Sequence, residues 1–370
     1  MGHPLAGTLF VPCNFKCSEA LCLTPPLEGA RLAFRFVKSL SSPITLVLGL
    51  RRTGKSSVIM ISLSELGLPY IYVDLRKFEE KGFASYRDLV VELEREVNRL
   101  TGRFPGLLEL LRRVEGVEVM GGGVRLRWGG RKRVTISSLL EALNDWAEDR
   151  VVFVIDEAQE LINMRGANLL PALAYSFDNL RKVRVVLSGS KMGLLYRYLG
   201  VEDPRSPLYG RAMNEVELKP FSREMAEQFL RLGLSELGVE FREYDTVYDT
   251  IGGIPGWLTY FGYYYGQDRD LGRALERTLR TALGLIREEF ESFLRTRYVA
   301  RERYLAIMRT IARCAAWSEI RRALEASEGA RVSDSELSNY LTQLMDSSWI
   351  VKTDRGYCPS EPLIGRAFGG

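Results

Sequence analysis

Histidine is nearly absent: His3 stands alone in 370 residues. Cysteine is scarce too. Cys13, Cys17 and Cys22 group near the start, and Cys314 and Cys358 lie far from them. Three clustered thiols and one histidine make a poor zinc site, because a closed site takes four ligands. The cysteines read as reduced thiols of a cytoplasmic protein. Long apolar runs are missing as well. No stretch of about eighteen apolar residues occurs, so neither a membrane-spanning helix nor a membrane partner is expected. The opening MGHPLAGTLFVPCNFKCSEALCL is interrupted by Pro4, Pro12 and Lys16. It lacks a basic segment ahead of an apolar one and does not read as a signal peptide. There is no internal repeat and no low-complexity tract. The net charge of +4 is too small by itself to argue for a nucleic-acid partner.

What is present is a chain long enough for two or three domains, with 46% hydrophobic residues to build their cores. Residues 1–43 read as a lead-in. Strand-like runs follow at ITLVL (44–48), PYIYVDL (69–75), VVFVIDE (151–157), VRVVLSG (183–189) and EVEL (215–218). Several are continuously apolar and rich in Val and Ile, the pattern of strands buried on both faces of a parallel sheet. Helical spacing fills the gaps at 54–66, 84–101, 137–149 and 167–181. The alternation predicts a doubly wound α/β core over residues 44–220.

One segment, about 102–135, breaks the alternation. Residues 103–133 hold eight Arg/Lys against three Glu. VEVMGGGVRLRWGG predicts a hairpin turning at Gly121–Gly123, with Val124, Leu126 and Trp128 on one face and Arg125 and Arg127 on the other. Beyond Pro220 the strands stop, and 221–298 reads as a helical lid. Residues 299–370 show three helical stretches (301–314, 316–327, 333–346). Short strands WIVKT and YCP follow around Asp354-Arg355-Gly356, a winged helix-turn-helix pattern.

The chemistry begins at GLRRTGKSS, Gly49–Ser57, placed after an apolar strand and at the start of a helix. Glycines let backbone N–H groups wrap a phosphate, and the following helix points its positive end at the anion. The loop residues Gly49, Leu50, Arg51, Arg52, Thr53, Gly54, Lys55, Ser56 and Ser57 are the expected nucleotide cradle. Lys55 neutralises the β/γ-phosphates and Ser56 offers a hydroxyl to Mg²⁺. Arg51 and Arg52 have no assigned phosphate, so their side chains are expected to point outward toward a neighbouring domain or partner.

In VVFVIDEAQ, Asp156 and Glu157 end a strand at the sheet edge where ligands bind in such folds. Asp156 suits Mg²⁺ coordination, and Glu157 suits polarising an attacking water. Two adjacent carboxylates after an apolar strand are costly unless they face a cation or solvent. In VRVVLSGSKMGLL, Ser188 or Ser190 can hydrogen-bond the γ-phosphate or the attacking water; the alternative is that Ser and Gly merely end a strand. In RSPLYGRA, Arg211 can stabilise the phosphoryl transition state, or be a surface ion pair. In GGIPGW, Pro255 can pack flat on an adenine, or simply break a helix.

Together these motifs resemble the archaeal ATPase family of the STAND class of P-loop NTPases, relatives of the AAA+ ATPases. GLRRTGKSS, VVFVIDEAQE, VLSGSKMGLL, SPLYGRA and GGIPGWL occur in family order, followed by a winged-helix tail. The resemblance implies a five-stranded parallel sheet, a helical lid and a C-terminal winged helix. It also implies ATP/ADP with Mg²⁺, and a cycle in which nucleotide governs domain arrangement or assembly. Carried onto this chain, the P-loop role falls on Gly49, Gly54, Lys55 and Ser56, the Walker B roles on Asp156 and Glu157, the sensor on the Ser188–Ser190 stretch and the GxP contact on Pro255; the candidate catalytic set is Glu157, Lys55, Ser190 and Arg211. One departure stands out: where the family carries an Arg-Glu-x-Glu-Leu segment before the first strand, this chain has LEGARLAFRFV, with Arg31 as the nearest substitute.

The leading expectation is a Mg-dependent ATP-hydrolysing switch that acts through self-assembly or a protein partner. The alternative is an ATP-regulated DNA-binding protein. Against its strong form, VSDSELSNYLTQLMD, the candidate recognition helix, contains no Lys or Arg, and phosphate contacts dominate DNA affinity. The basic hairpin with Trp128 is the better nucleic-acid candidate. A kinase is disfavoured because the paired acids mark hydrolysis.

Overall fold

The computed structural model describes residues 34–81 and 83–369. The expectations for Cys13, Cys17, Cys22 and Arg31 lie outside the described residues. In chain order the strands are β1 (Ile44–Leu48), β2 (Tyr70–Asp74), β3 (Ala84–Ser85), β4 (Val117–Met120), β5 (Gly123–Leu126), β6 (Val151–Asp156), β7 (Met164–Arg165), β8 (Val183–Gly189), β9 (Asn214–Glu217), β10 (Ile350–Thr353) and β11 (Gly356–Pro359). Among the described residues no helix is long and apolar enough to cross a membrane.

The chain forms two compact units. The first, described over 34–49 and 58–218, holds a five-stranded sheet in the order β2-β6-β8-β1-β9. Every neighbouring pair in it is parallel. β1 and β6 are buried along their whole length, which explains their unbroken apolar sequence. β2 lies at the sheet edge and alternates instead: Ile71 and Val73 are buried while Tyr70, Tyr72 and Asp74 are half-exposed. Successive side chains alternate faces. Ile44, Leu46, Phe153, Ile155, Val185 and Leu187 enter one core. Val47, Val152, Val154 and Val186 enter another with Phe36, Ile59 and Leu63.

The basic insert packs through polar side chains. β4 and β5 pair antiparallel, with Gly121 and Gly122 at positive φ in the turn. The free edge of β5 is completed by the Tyr86–Arg103 helix: Asn98 exchanges two hydrogen bonds with Val124 (2.7 and 2.8 Å), and Glu94 accepts from Leu126 N–H at 2.7 Å. Val124 and Leu126 are buried and Arg125 and Arg127 exposed, as the alternation requires. Trp128 departs from its expected face. β5 has ended at Leu126, and the indole is 48% exposed with Arg87 stacked on it at 4.8 Å.

The second unit, described over 50–57 and 219–369, is helical with a small wing. Helices Arg223–Glu236, Tyr244–Ile251, Pro255–Asp268 and Leu271–Arg295 precede Arg301–Ile311, Trp317–Glu328 and Asp334–Asp346. β10 and β11 form the antiparallel wing, to which Ala315 adds a bridge with Tyr357. One apolar core, including Trp257, Phe261, Phe290, Tyr304, Leu341 and Leu363, runs from the lid helices through the winged helix. A last helix, Pro362–Phe368, has no counterpart in the sequence reading.

The reduced-thiol expectation fails for one pair. Cys314 and Cys358, 44 residues apart, form a disulfide with Cα atoms 4.1 Å apart. Their contact follows from the wing folding back beside the end of the Arg301–Ile311 helix, which linear spacing does not reveal.

Candidate active site

The parallel sheet decides where the carboxylates emerge. β6 ends at Asp156; β8 beside it ends at Gly189, and β1, on the far side of β8, ends at Leu48 in register with Gly189. The loop beginning at Gly49 therefore leaves the sheet at the same edge as Asp156 and Glu157.

Asp156 is fully buried and Glu157 nearly so. Asp156 Oδ2 accepts from the Tyr72 hydroxyl at 2.5 Å, and Oδ1 accepts from Ser188 Oγ and from Glu157 N–H at 3.1 Å. Arg76 approaches Asp156 to 3.7 Å while its guanidinium forks onto Asp74 (2.7–3.1 Å). The hydrogen bonds it donates to Asp74 hold that guanidinium above its ordinary pKa, so it stays charged. Glu157 Oε2 accepts from Gln159 Nε2 at 2.6 Å, Ser190 Oγ at 2.5 Å and Ser190 N–H at 3.3 Å. Its backbone is left-handed (φ 53°), a conformation that costs a non-glycine residue on the order of 1 kcal/mol. That turn separates the two adjacent side chains, sending one to Ser188 and the other to Ser190.

The phosphate loop has its own internal ties. Leu50 carbonyl accepts from Thr53 Oγ1 at 2.8 Å and from Lys55 Nζ at 2.9 Å. Lys55 begins the Lys55–Glu65 helix and is buried. Gly54 has φ 90°, which its missing Cβ permits; Arg52 has φ 63°, which its side chain opposes. Within this unit both arginines meet Glu289 of the Leu271–Arg295 helix. Arg51 lies 3.4 Å from one carboxylate oxygen and Arg52 pairs with the other. Arg52 also lies over Trp257, 4.4 Å from its ring centre, and its carbonyl accepts from Gly256 N–H at 3.0 Å.

The GGIPGW segment packs closely against its neighbours. A Cβ on Gly253 would sit 2.0 Å from the Phe221 carbonyl, and one on Gly256 would sit 2.6 Å from Arg52 Cβ. Pro255 is buried at the first position of its helix, where a missing N–H costs nothing.

Arg211 is not brought to the carboxylates of its own chain. It precedes β9, which runs parallel to β1 with Asn214 beside Thr45, so it lies at the opposite edge of the sheet. There it pairs with Asp178 at 2.5 and 3.1 Å and bonds the Pro207 carbonyl. Ion pairing lowers the Asp178 pKa and raises that of Arg211.

Sequence reasoning missed Tyr72, Arg76, Gln159, Gly256, Trp257, Glu289 and Glu361, whose carboxylate accepts from the Trp257 indole N–H. Gln159 sits two residues beyond Glu157 in the strand-end motif and was within reach of a pattern argument. Glu289 and Glu361 carry no local signal. Among the described residues no group of three His, Cys, Asp or Glu side chains could hold a metal.

Comparison with known proteins agrees with this geometry. Residues 35–261 match the family described as an ATPase domain predominantly from Archaea, and residues 298–360 match the C-terminal winged helix-turn-helix domain of MCM proteins. The Walker-type ATPase PABY2304 of Pyrococcus abyssi is 32% identical, with a TM-score of 0.77 over 91% of this chain and 94% of that one. Remoter similarity reaches Orc1 of Aeropyrum pernix, solved with DNA (17% identity, 95% of this chain, 93% of that chain, TM-score 0.37). It also reaches the RuvB Holliday junction branch migration motor of Thermotoga maritima (16%, 91% of this chain, 92% of that chain, TM-score 0.36). No curated protein matches. A phosphate loop and an Asp-Glu strand end at one sheet edge, joined to the first of these matches, make the chain a P-loop ATPase that belongs to the predominantly archaeal ATPase family.

Proposed function

We propose that this ATPase is a switch: it binds ATP with Mg²⁺, hydrolyses it slowly, and uses its nucleotide state to govern domain arrangement or assembly, as the STAND class does. The observation that carries the hydrolytic half is the hold on Glu157. A buried carboxylate kept by a side-chain amide, a hydroxyl and one N–H is oriented yet still a base.

In this reading Gly49–Ser57 wraps the phosphates and Lys55 faces the β/γ-phosphates. Ser56 and Asp156 are the oxygen donors for Mg²⁺, which would offset charge on the phosphate oxygens. Glu157 takes a proton from water as the water oxygen attacks the γ-phosphorus and the bond to the β–γ bridging oxygen breaks, releasing ADP. Ser190 orients Glu157, and Pro255 stands near the base. Arg211, at the far edge of the sheet, serves a second copy if it serves any phosphate. The switch is tested by light scattering with ADP against a non-hydrolysable ATP analogue. Assembly or compaction that differs between the two supports it; identical behaviour sinks it.

A second reading, ATP-regulated DNA binding, is favoured by the match to the MCM winged helix. The charge arrangement weighs against it. Arg303 is tied to Glu328 and Glu336, and Arg321 to Glu325 and Asp334. Titration with duplex and single-stranded DNA across salt decides: a flat salt slope removes this reading.

A further inference from the structure

Arg51 and Arg52 are the loop residues that ATP hydrolysis leaves without a task. Arg52 holds a left-handed backbone, and such a backbone at a non-glycine residue persists only where its surroundings over-determine it. Three contacts do so. Gly256 N–H donates to its carbonyl at 3.0 Å, Glu289 pairs with its guanidinium, and the Trp257 ring lies 4.4 Å beneath that guanidinium. The pair is largely withdrawn from solvent, with about a fifth of each side chain exposed (21% and 20%). Gly256 is required at this spot, because any Cβ there would strike Arg52.

The chain of contacts continues. Trp257 is fully buried, and its indole N–H donates to Glu361 Oε2 at 2.8 Å. Glu361 precedes the last helix, Pro362–Phe368, so the C-terminal end of the winged-helix segment reaches the phosphate loop through one indole ring. All these residues belong to one compact unit.

We propose that Arg52 is a positioning residue of the ATPase, through which Glu289, Trp257 and Glu361 set the path of the phosphate-wrapping loop. The geometry gives the means. Arg52 sits between Leu50, whose carbonyl anchors Thr53 and Lys55, and Gly54 at φ 90°. Turning the Arg52 peptide turns the N–H groups of Thr53 and Gly54, which the loop offers to phosphate. A side chain fixed from outside the loop therefore holds the cradle in one shape, and the fixing groups come from the lid helices and the chain's C-terminal end. This inference rests on Gly49–Ser57 being the phosphate loop.

The test uses the full chain. Affinity for a non-hydrolysable ATP analogue is measured by calorimetric titration, with KM and kcat for ATP alongside. Arg52→Ala and Glu289→Gln each weaken analogue binding and raise KM by about tenfold, and the double variant is no worse than either single one, as for two residues acting as a unit. Arg52→Lys keeps the charge but loses the planar stack, and recovers part of the affinity. Trp257→Phe keeps a ring under the guanidinium and loses the link to Glu361; its smaller KM shift reports the C-terminal connection without removing the aromatic core. A merely structural role would lower the thermal midpoint and the folded fraction while leaving KM unchanged. Unchanged KM in Arg52→Ala and Glu289→Gln, or losses that simply add in the double variant, overturns the proposal while wild-type binding stands. Wild-type chain that fails to bind the analogue overturns the phosphate-loop reading and this inference with it.

Discussion

Two clusters of charge, one in each compact unit, are held in different ways. The partners of Asp156 and Glu157 include hydroxyls and an amide, from Tyr72, Ser188, Ser190 and Gln159. Around Arg51 and Arg52 the partner is a full opposite charge, Glu289, with an aromatic face below. Neutral donors orient a carboxylate without a full opposite charge, whereas a largely buried ion pair satisfies the charge and fixes geometry. The first cluster is the one proposed to react, the second the one proposed to hold.

The comparison breaks most sharply at Glu157→Gln. Hydrolysis should fall by about a thousandfold, roughly 4 kcal/mol of transition-state stabilisation, with analogue binding kept. Wild-type turnover in that variant would move Glu157 out of the reactive cluster. On the holding side, Gly256→Ala forces Arg52 to shift and should cost about 3 kcal/mol in thermal or denaturant unfolding. A stability equal to wild type would show that the close approach is soft.

Glu361 gives a pH test. Burial pushes its carboxyl up to about 7, against the opposing pull of the Trp257 N–H and Arg52. A raised folded-state pKa means the folded chain prefers the proton. Its stability contribution is present below the unfolded value near 4.5 and is lost as pH rises toward 7. Glu361→Gln should therefore match wild type at about pH 4 and exceed it by on the order of 2 kcal/mol at about pH 8. Equal stability at both values would place Glu361 in a wetter setting.

Ser190→Ala should slow hydrolysis by about tenfold, near 1.4 kcal/mol, through loss of one hydrogen bond to the base. Rescue of full rate would leave Gln159 as the sole orienter. Smallest of all, Arg211→Ala should leave hydrolysis by the isolated chain unchanged, since Arg211 lies at the opposite sheet edge. A loss in dilute, unassembled protein would contradict that placement.

Much of the architecture was legible because it is periodic. The unbroken apolar runs ITLVL and VVFVID foretold strands covered on both faces, and β1 and β6 are so covered. The hairpin was readable from three glycines. Trp128 was misplaced because alternation was extended two residues past the end of β5. The Cys314–Cys358 disulfide and the last helix were missed because the contacts behind them join distant segments.

The site divides along the same line. Gly49, Gly54, Lys55, Asp156, Glu157 and Ser190 could be nominated from the sequence alone because phosphate wrapping and water activation demand particular residue types at strand ends, and strand ends are local features. What holds them was decided only in three dimensions. Tyr72 meets Asp156 across two strands, and Gln159 meets Glu157 through a left-handed turn. Arg52 meets Glu289 across 237 residues of chain. A single side chain's partner depends on which distant backbone the packed core delivers beside it, and no local spacing encodes that.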